Sequence, residues 1–154
     1  MSVDVQNRLE ELGIVLPEVG EAPASFVHAV TTGNLVYTSG AGCEKDGEFL
    51  YHGKLGQDVT TEQGYEAARQ TMINLLAVLD NHLGSLDKIK RIVKVNGFIN
   101  CVPNYTDGPL VINGASDLLE ELFGEKGKHA RSSIGVNSLP FGMPVEIEMI
   151  IEMK

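Results

Sequence analysis

Residues 145–153, Val-Glu-Ile-Glu-Met-Ile-Ile-Glu-Met, form a regularly alternating segment. Every second side chain, from Val145 to Met153, is apolar, which predicts a β-strand with one face buried under a covering layer. The other face carries three glutamates and an isoleucine: Glu146, Glu148, Ile150 and Glu152. Such a mixture suits a partly hydrated subunit interface better than a hydrophobic core. We therefore expect a sheet that helices cover on one face only, and oligomerisation through the other face.

Two amphipathic segments are predicted to be the covering helices. Residues 61–83 keep apolar side chains at helical spacing, and Gly84 ends the segment. Thr60, with Gln63 three positions later, predicts a capping box at its first turn. The second helix is predicted over Asn113–Phe123, where Leu-Val-Ile precedes an asparagine that would serve as its N-cap.

The remaining segments complete an α/β (α+β) domain that we expect to span residues 1–154. The other predicted elements are a helix over Val3–Leu12, strands over Phe26–Thr32 and Leu35–Ser39 joined by a Gly33-Asn34 turn, and strands over Ile89–Cys101 and His129–Asn137. The glycine-rich residues 40–58 are predicted to be loop, with room for one short strand. This order of elements suits a single sheet with its helices on one face.

The composition restricts the classes of function. The formal charge is −9, and the 12 basic residues form no concentrated run, which argues against nucleic acid as the natural partner. A single cationic pocket could still hold a small anionic substrate. The 2 cysteines, the absence of a secretory signal and the lack of a long apolar stretch predict a reducing, cytoplasmic setting without membrane insertion. The 4 histidines lack metal-ligand spacing, so no metal is expected.

Arg131 and Glu146 are the strongest candidates for chemistry. Alternation places Arg131 and Ser133 on one face of the penultimate strand. If the last two strands pair antiparallel, Arg131 and Glu146 would share the open face of the sheet. A guanidinium is a natural fork for a substrate carboxylate, and a nearby glutamate could activate a water molecule. An interface salt bridge remains the alternative explanation of the same pair. Ser39 lies outside any GxSxG frame, so a nucleophile elbow is unsupported.

Several segments together resemble the RidA/YjgF family. The most specific is the C-terminal signature, Ala-Arg-Ser-Ser-Ile-Gly-Val at 130–136, Leu-Pro at 139–140 and Val-Glu-Ile-Glu at 145–148. Residues 33–40 and 67–75 are similar to the second strand and the first long helix of the family, and Asn113 matches its site asparagine. The resemblance begins near Pro23. Residues 1–22, with their helix, are an extension that is typical of a longer subgroup labelled endoribonuclease L-PSP.

The resemblance implies a chorismate-mutase-like fold, with a single mixed β-sheet and two main helices on one face. It also implies a homotrimer with clefts between subunits, in which enamine/imine carboxylates are hydrolysed to 2-keto acids and ammonia without a cofactor. In that case Arg131 would bind the substrate carboxylate, and Ser133 and Glu146 would hold the attacking water. Ser39 and Asn113 would line the cleft.

The chain departs from the family pattern at two of these positions. Phe26 stands where the family usually has a tyrosine, and Ser133 stands where it has a cysteine. Phe26 would line the cleft without a hydroxyl group, which favours a binding or regulatory trimer without turnover as an alternative function. RNA cleavage, which the subgroup label suggests, is a second alternative. The charge and the absence of a His-His or His-Lys acid–base pair oppose it.

Overall fold

The computed structural model describes residues 4–154. The elements are α1 (Val5–Glu11), β1 (Ala29–Thr32), β2 (Leu35–Thr38), β3 (Glu44–Lys45), β4 (Glu48–Phe49), α2 (Thr61–Leu83), β5 (Ile89–Asn100), α3 (Gly108–Phe123), β6 (Ala130–Val136) and β7 (Val145–Met153). Short 3-10 turns lie at Leu86–Lys88, Gly124–Gly127 and Pro140–Gly142. The predicted strands and both main helices are thus present, and the start predicted for the first helix, Val3, lies outside the described residues.

The main sheet is mixed and has the strand order β1-β2-β7-β5-β6. β7 lies at its centre, antiparallel to both β2 and β5, and β6 runs parallel to β5 as an edge strand. The expectation that the last two strands pair with each other is therefore wrong, because β5 separates them. Neighbouring strands are about 4.8 Å apart, so residues 137–144 need to span only about 10 Å to pass the end of β5.

The core lies between one face of the sheet and the two main helices. Val145, Ile147, Met149 and Ile151 of β7 are almost fully buried, as the alternation predicts. The opposite face has no covering layer among the described residues, and Val30, Tyr37 and Ile134 on that face remain exposed. The sequence therefore correctly identified which face of β7 is covered.

Local signals fixed the ends of α2. The Gln63 N–H donates to Thr60 Oγ1 at 3.1 Å, and the Thr60 N–H donates to Gln63 Oε1 at 3.0 Å. This reciprocal pair is the predicted capping box. At the other end Gly84 takes a left-handed conformation, with φ of 86°, which glycine adopts without steric cost.

The helix α3 begins five residues earlier than Asn113, the predicted cap, because Gly108 and Pro109 start it. Asp107 occupies the N-cap position without a side-chain capping bond. A proline in the first turn has no N–H to leave unpaired, so it begins a helix readily. The prediction that Asn113 caps the helix is wrong. Asn113 lies one full turn inside α3, where its side chain is free to contact β6.

The two main helices are in close backbone contact at Gly114 of α3. A Cβ atom at this position would lie 2.0 Å from the carbonyl oxygen of Tyr65 and 3.1 Å from the backbone nitrogen of Arg69, both in α2. Only glycine fits there, since the obstructing atoms are backbone and cannot move as a flexible side chain can. This contact sets the position of α3 over the sheet.

The substitution Gly114→Ala is expected to lower the free energy of unfolding by about 3 kcal/mol, since overpacking against backbone outweighs the higher helix propensity of alanine. Gly20→Ala is the control, because no heavy atom lies within 4 Å of a Cβ at Gly20. Urea denaturation at a fixed protein concentration measures the free energy of unfolding of both variants. Equal midpoints for the two variants would show that α2 and α3 can separate without cost.

Candidate functional site

Arg131 lies on the edge strand β6, and its side chain is held by α3. Its Nη1 donates to Asn113 Oδ1 at 2.8 Å and to Ser116 Oγ at 3.1 Å, while Nη2 is 3.5 Å from the carbonyl oxygen of Pro109. All three partners are neutral. No carboxylate among residues 4–154 pairs with this guanidinium within 4.0 Å. The half-buried positive charge is therefore fixed in place without being neutralised.

Glu146 lies on β7 beside the backbone of Gly40. A Cβ at Gly40 would come within 2.9 Å of the Glu146 Cδ atom, so the carboxyl group packs over a position that no larger residue could occupy unchanged. The bridge between Ala41 and Ile147 holds the two segments together. The Glu146 side chain is half-buried and has no hydrogen-bond partner in the described part of the chain.

Arg131 and Glu146 point to opposite faces of the sheet. Arg131 pairs with Val95 of β5, whose side chain is buried under the helices, whereas Glu146 pairs with Phe98 on the other face. Directly paired residues of neighbouring strands share a face. The expectation that Arg131 and Glu146 share the open face is therefore wrong. That expectation assumed that β6 and β7 pair directly. Because β5 lies between them, Arg131 takes the face of Val95 and Glu146 takes the face of Phe98, and these two residues of β5 point to opposite sides of the sheet.

Ser133 follows Arg131 on the same, helix-covered face of β6, paired with Gly97. Its Oγ atom is shielded from solvent and has no hydrogen-bond partner within residues 4–154. Buried hydroxyl groups are nearly always satisfied. The structure thus places Ser133 next to Arg131, as the sequence predicts, with a free hydroxyl group.

Phe26 and Ser39 lie near the other edge of the sheet. The Ser39 hydroxyl donates to the carbonyl oxygen of Val27 at 2.6 Å, so it fastens the segment around Phe26 to the end of β2. Phe26 precedes β1 instead of lying within it, and its side chain is 47% exposed. It borders a groove of about 500 Å³ against α2. Ser39 directly precedes Gly40, over which Glu146 packs, and it follows β2, which β7 and β5 separate from the strand of Arg131.

The candidate residues thus form two groups. We call Asn113, Ser116, Arg131 and Ser133 the arginine half-site, and we call Ser39, Gly40 and Glu146 the glutamate half-site. β5 and the thickness of the sheet separate the two within one chain. No group of three or more His, Cys, Asp or Glu side chains in the described residues is arranged to hold a metal ion. No helix of residues 4–154 has the length and apolar character to cross a membrane.

Burial raises the pKa of Glu146 above its ordinary value of 4.5, and the negative charge of Glu148 raises it further. Both effects disfavour the ionised form. As the pH falls, Glu146 therefore takes up a proton earlier than an exposed glutamate does. Any role as a base would be lost when the pH falls through this raised pKa.

Replacing Glu148 by glutamine is expected to lower the pKa of Glu146 because it removes the like charge. Burial remains in this variant, so the pKa should stay above 4.5, the ordinary value. Titration of the side-chain carboxyl carbons by NMR measures the change. Glu10→Gln on the exposed surface of α1 is the control and should leave the Glu146 titration unaltered. A Glu146 curve that is insensitive to Glu148 would contradict the like-charge contribution.

The family of this chain follows from its similarity to known proteins. A family model described as "YjgF/chorismate_mutase-like, putative endoribonuclease" matches residues 6–151. The chain belongs to the RidA/YjgF family. Protein TCP17 of Trypanosoma cruzi is 38% identical to it over 97% of this chain and 94% of its own. A 2-iminobutanoate/2-iminopropanoate deaminase of Dermatophagoides farinae is 32% identical over 84% of this chain and 86% of its own.

The fold comparison agrees with the RidA/YjgF assignment. The crystal structure of a protein from Shewanella oneidensis, described as a putative endoribonuclease, superposes with a TM-score of 0.93. It shares 34% sequence identity and covers 97% of this chain and 99% of that chain. The helix α1 of the N-terminal extension is therefore part of a shared fold.

Two site residues were missed by the sequence interpretation. Ser116 contacts Arg131 directly, and His129 contacts Ser116. The signals were present, since Asn113 and Ser116 are three positions apart on one helix face and His129 alternates with Arg131 on one strand face. They could not be joined from the sequence because the packing of α3 against the edge strand was unknown.

Proposed function

We propose that this RidA/YjgF protein hydrolyses small enamine/imine carboxylates to 2-keto acids and ammonia, and that it does so as a homotrimer with its sites between subunits. The observation that carries the proposal is the guanidinium of Arg131, which is held only by neutral partners. A positioned, uncompensated arginine is the natural binding group for a carboxylate, because two parallel N–H bonds match its two oxygens. The similarity to a named imine deaminase supports the same reaction class.

A second copy of the chain would complete the site. The arginine half-site lies at the β6 edge and the glutamate half-site lies toward the β2 side of the sheet, so one chain cannot place both around one small molecule. A head-to-tail contact can bring the arginine half-site of one copy to the glutamate half-site of the next. When such heterologous contacts close, they form a ring. The uncovered sheet face, with its exposed apolar side chains, would be buried inside this ring.

The reaction needs few groups. The carboxylate of the substrate would bind Arg131, which holds the electrophilic imine carbon near a water molecule. Glu146 would accept a proton from that water as its oxygen bonds to the imine carbon and the C=N electron pair moves to nitrogen. Protonated Glu146 would return this proton to the nitrogen, which gives a neutral carbinolamine and restores the carboxylate. The carboxylate would then pass the hydroxyl proton of the carbinolamine to the nitrogen as the C=O bond forms, the C–N bond breaks and ammonia leaves. Orientation and exclusion of solvent would supply most of the acceleration.

The test combines mass and turnover on one sample. Light scattering should give about three times 16.6 kDa. The same trimer should accelerate ammonia release from 2-aminoacrylate generated in situ, and it should leave RNA intact under nuclease-free conditions. A stable monomer at micromolar concentration, or a trimer without effect on ammonia release, would contradict the proposal.

A binding or regulatory trimer without turnover is the second candidate, and Phe26 is the observation that favours it. The residue presents a half-exposed ring without a hydroxyl group. In the ammonia assay this candidate predicts a trimer that binds 2-oxobutanoate but releases ammonia no faster than buffer. The net charge of −9 opposes an RNA substrate, because phosphate contacts supply most of the affinity for nucleic acid.

A further inference from the structure

A chain of hydrogen bonds runs from Arg131 through Ser116 to His129. Ser116 Oγ lies 3.1 Å from Arg131 Nη1 and 2.9 Å from His129 Nε2. His129 Nδ1 lies 2.6 Å from the carbonyl oxygen of Gly127. Three segments contribute to this chain, namely α3, the start of β6 and the 3-10 turn before it. Every side chain in it is partly buried.

The hydrogen atoms in this chain have only one consistent arrangement when His129 is neutral. The carbonyl oxygen of Gly127 can only accept, so Nδ1 must carry the proton and Nε2 must be the acceptor. The Ser116 hydroxyl therefore donates to Nε2, which turns its lone pairs toward the Arg131 guanidinium. Burial, above all, lowers the pKa of His129, and the charge of Arg131 lowers it further, so the neutral form is favoured.

The same bonds determine which edge of the guanidinium is available. Nη1 carries two hydrogens, and its two acceptors are Asn113 Oδ1 and Ser116 Oγ. Nη2 has only the 3.5 Å contact to Pro109, and Nε has no acceptor among the described residues. The Nη2 and Nε hydrogens lie along one side of the guanidinium plane and form a two-donor fork. The Nη1 bonds to Asn113 and Ser116 do not use this side, so a carboxylate that binds there leaves both of them intact.

We infer that Ser116 and His129 are positioning residues, which hold Arg131 so that its Nε and Nη2 side receives the substrate carboxylate. This inference rests on the proposed function of Arg131. Neutral partners are essential to it, because a glutamate or aspartate at position 116 would compete with the substrate for the guanidinium. The histidine sets the direction of the Ser116 hydroxyl, so that the serine offers a lone pair to Arg131 instead of a hydrogen.

The test measures the dissociation constant of 2-oxobutanoate and the KM and kcat for in situ 2-iminobutanoate, all on the full chain. Ser116→Ala is expected to weaken 2-oxobutanoate binding and raise KM by roughly tenfold, with kcat changed by less than about threefold. His129→Phe, which removes the acceptor of the Ser116 hydroxyl, should raise the dissociation constant of 2-oxobutanoate and KM by roughly threefold to tenfold. Ser116→Thr keeps the hydroxyl group and should stay within about threefold of the parent.

A double-mutant cycle separates positioning from a general structural role. In the Arg131→Lys background, Ser116→Ala should change the dissociation constant by less than about twofold, because its partner is gone. An equal loss in both backgrounds, or a folded Ser116→Ala chain with unaltered binding, would overturn the inference. In those cases the proposed function stands as long as Arg131→Ala itself abolishes binding. Unaltered binding by Arg131→Ala, or a parent chain that neither binds nor turns over, overturns both.

Discussion

Replacing Arg131 by alanine is expected to lower kcat/KM for 2-iminobutanoate by roughly 30- to several-thousand-fold. Truncating one partner of a desolvated charge pair costs roughly 2–5 kcal/mol, and each 1.36 kcal/mol is about tenfold in rate. Lysine should not restore the activity, because an ammonium is a point charge and lacks the planar fork. The assembly should survive, since the Arg131 side chain hydrogen-bonds to Pro109, Asn113 and Ser116 of its own chain and its proposed role is to bind the substrate.

Arg69 provides the matched control. It is also a partly exposed arginine that contacts α3, but its partner is a carboxylate, Glu121, at 3.4 Å. Arg69→Ala should change kcat/KM by less than about threefold, because a surface ion pair contributes only about 0–1 kcal/mol. Mass and turnover are measured on the same samples. If Arg131 is instead an interface salt-bridge residue, Arg131→Ala loses the trimer first and its activity falls only in parallel with assembly.

Replacing Glu146 by glutamine is expected to lower kcat by about 10²–10⁴-fold, the usual contribution of a positioned general base. KM should change little, because the carboxylate-binding group is Arg131. Glutamine keeps the size of the side chain over Gly40, so packing is retained while the ability to accept a proton is lost. Steady-state rates at pH 8, well above the ordinary pKa of a glutamate, measure the effect.

Glu148→Gln is the control for this substitution. Glu148 lies on the same face of β7, paired with Asn96 of β5, but it is not part of the glutamate half-site. Its replacement should leave kcat at pH 8 within about threefold and should shift the acid limb of the pH profile downward, since the pKa of Glu146 falls. Equal losses of kcat for Glu146→Gln and Glu148→Gln would show that turnover depends on the charge of this face of β7 and not on the Glu146 carboxylate in particular.

The two half-sites can be tested without relying on either variant alone. A mixture of Arg131→Ala and Glu146→Gln chains, unfolded and reassembled together, would contain clefts in which both intact half-sites meet. Regain of activity in the mixture, where each pure variant is inactive, is the outcome that sites between subunits require. A site within one chain could never recover in this way, since every chain in the mixture carries one defect.

The sequence by itself determined the type and order of the main elements and the buried face of β7. The capping box at Thr60 and Gln63, the turn at Gly33-Asn34 and the glycine stop at Gly84 depend on neighbours only a few residues away, so local chemistry fixes them. The alternation of residues 145–153 fixed which side of β7 is buried, because a strand has only two faces. Sequence motifs likewise identified four candidate site residues, namely Arg131, Ser133, Glu146 and Asn113.

Only the tertiary structure decided how those side chains are grouped. The placement of β5 between β6 and β7 put Arg131 and Glu146 on opposite faces, and no local pattern encodes which strands become neighbours. The connection formed by residues 137–144 is long enough to join β6 either to the adjacent strand or to the strand beyond it. Asn113 became a partner of Arg131 because Gly108 and Pro109 start α3 earlier and Gly114 lets that helix approach α2. Ser116 and His129 joined the site for the same reason: long-range packing, not sequence spacing, brings a helix face to an edge strand.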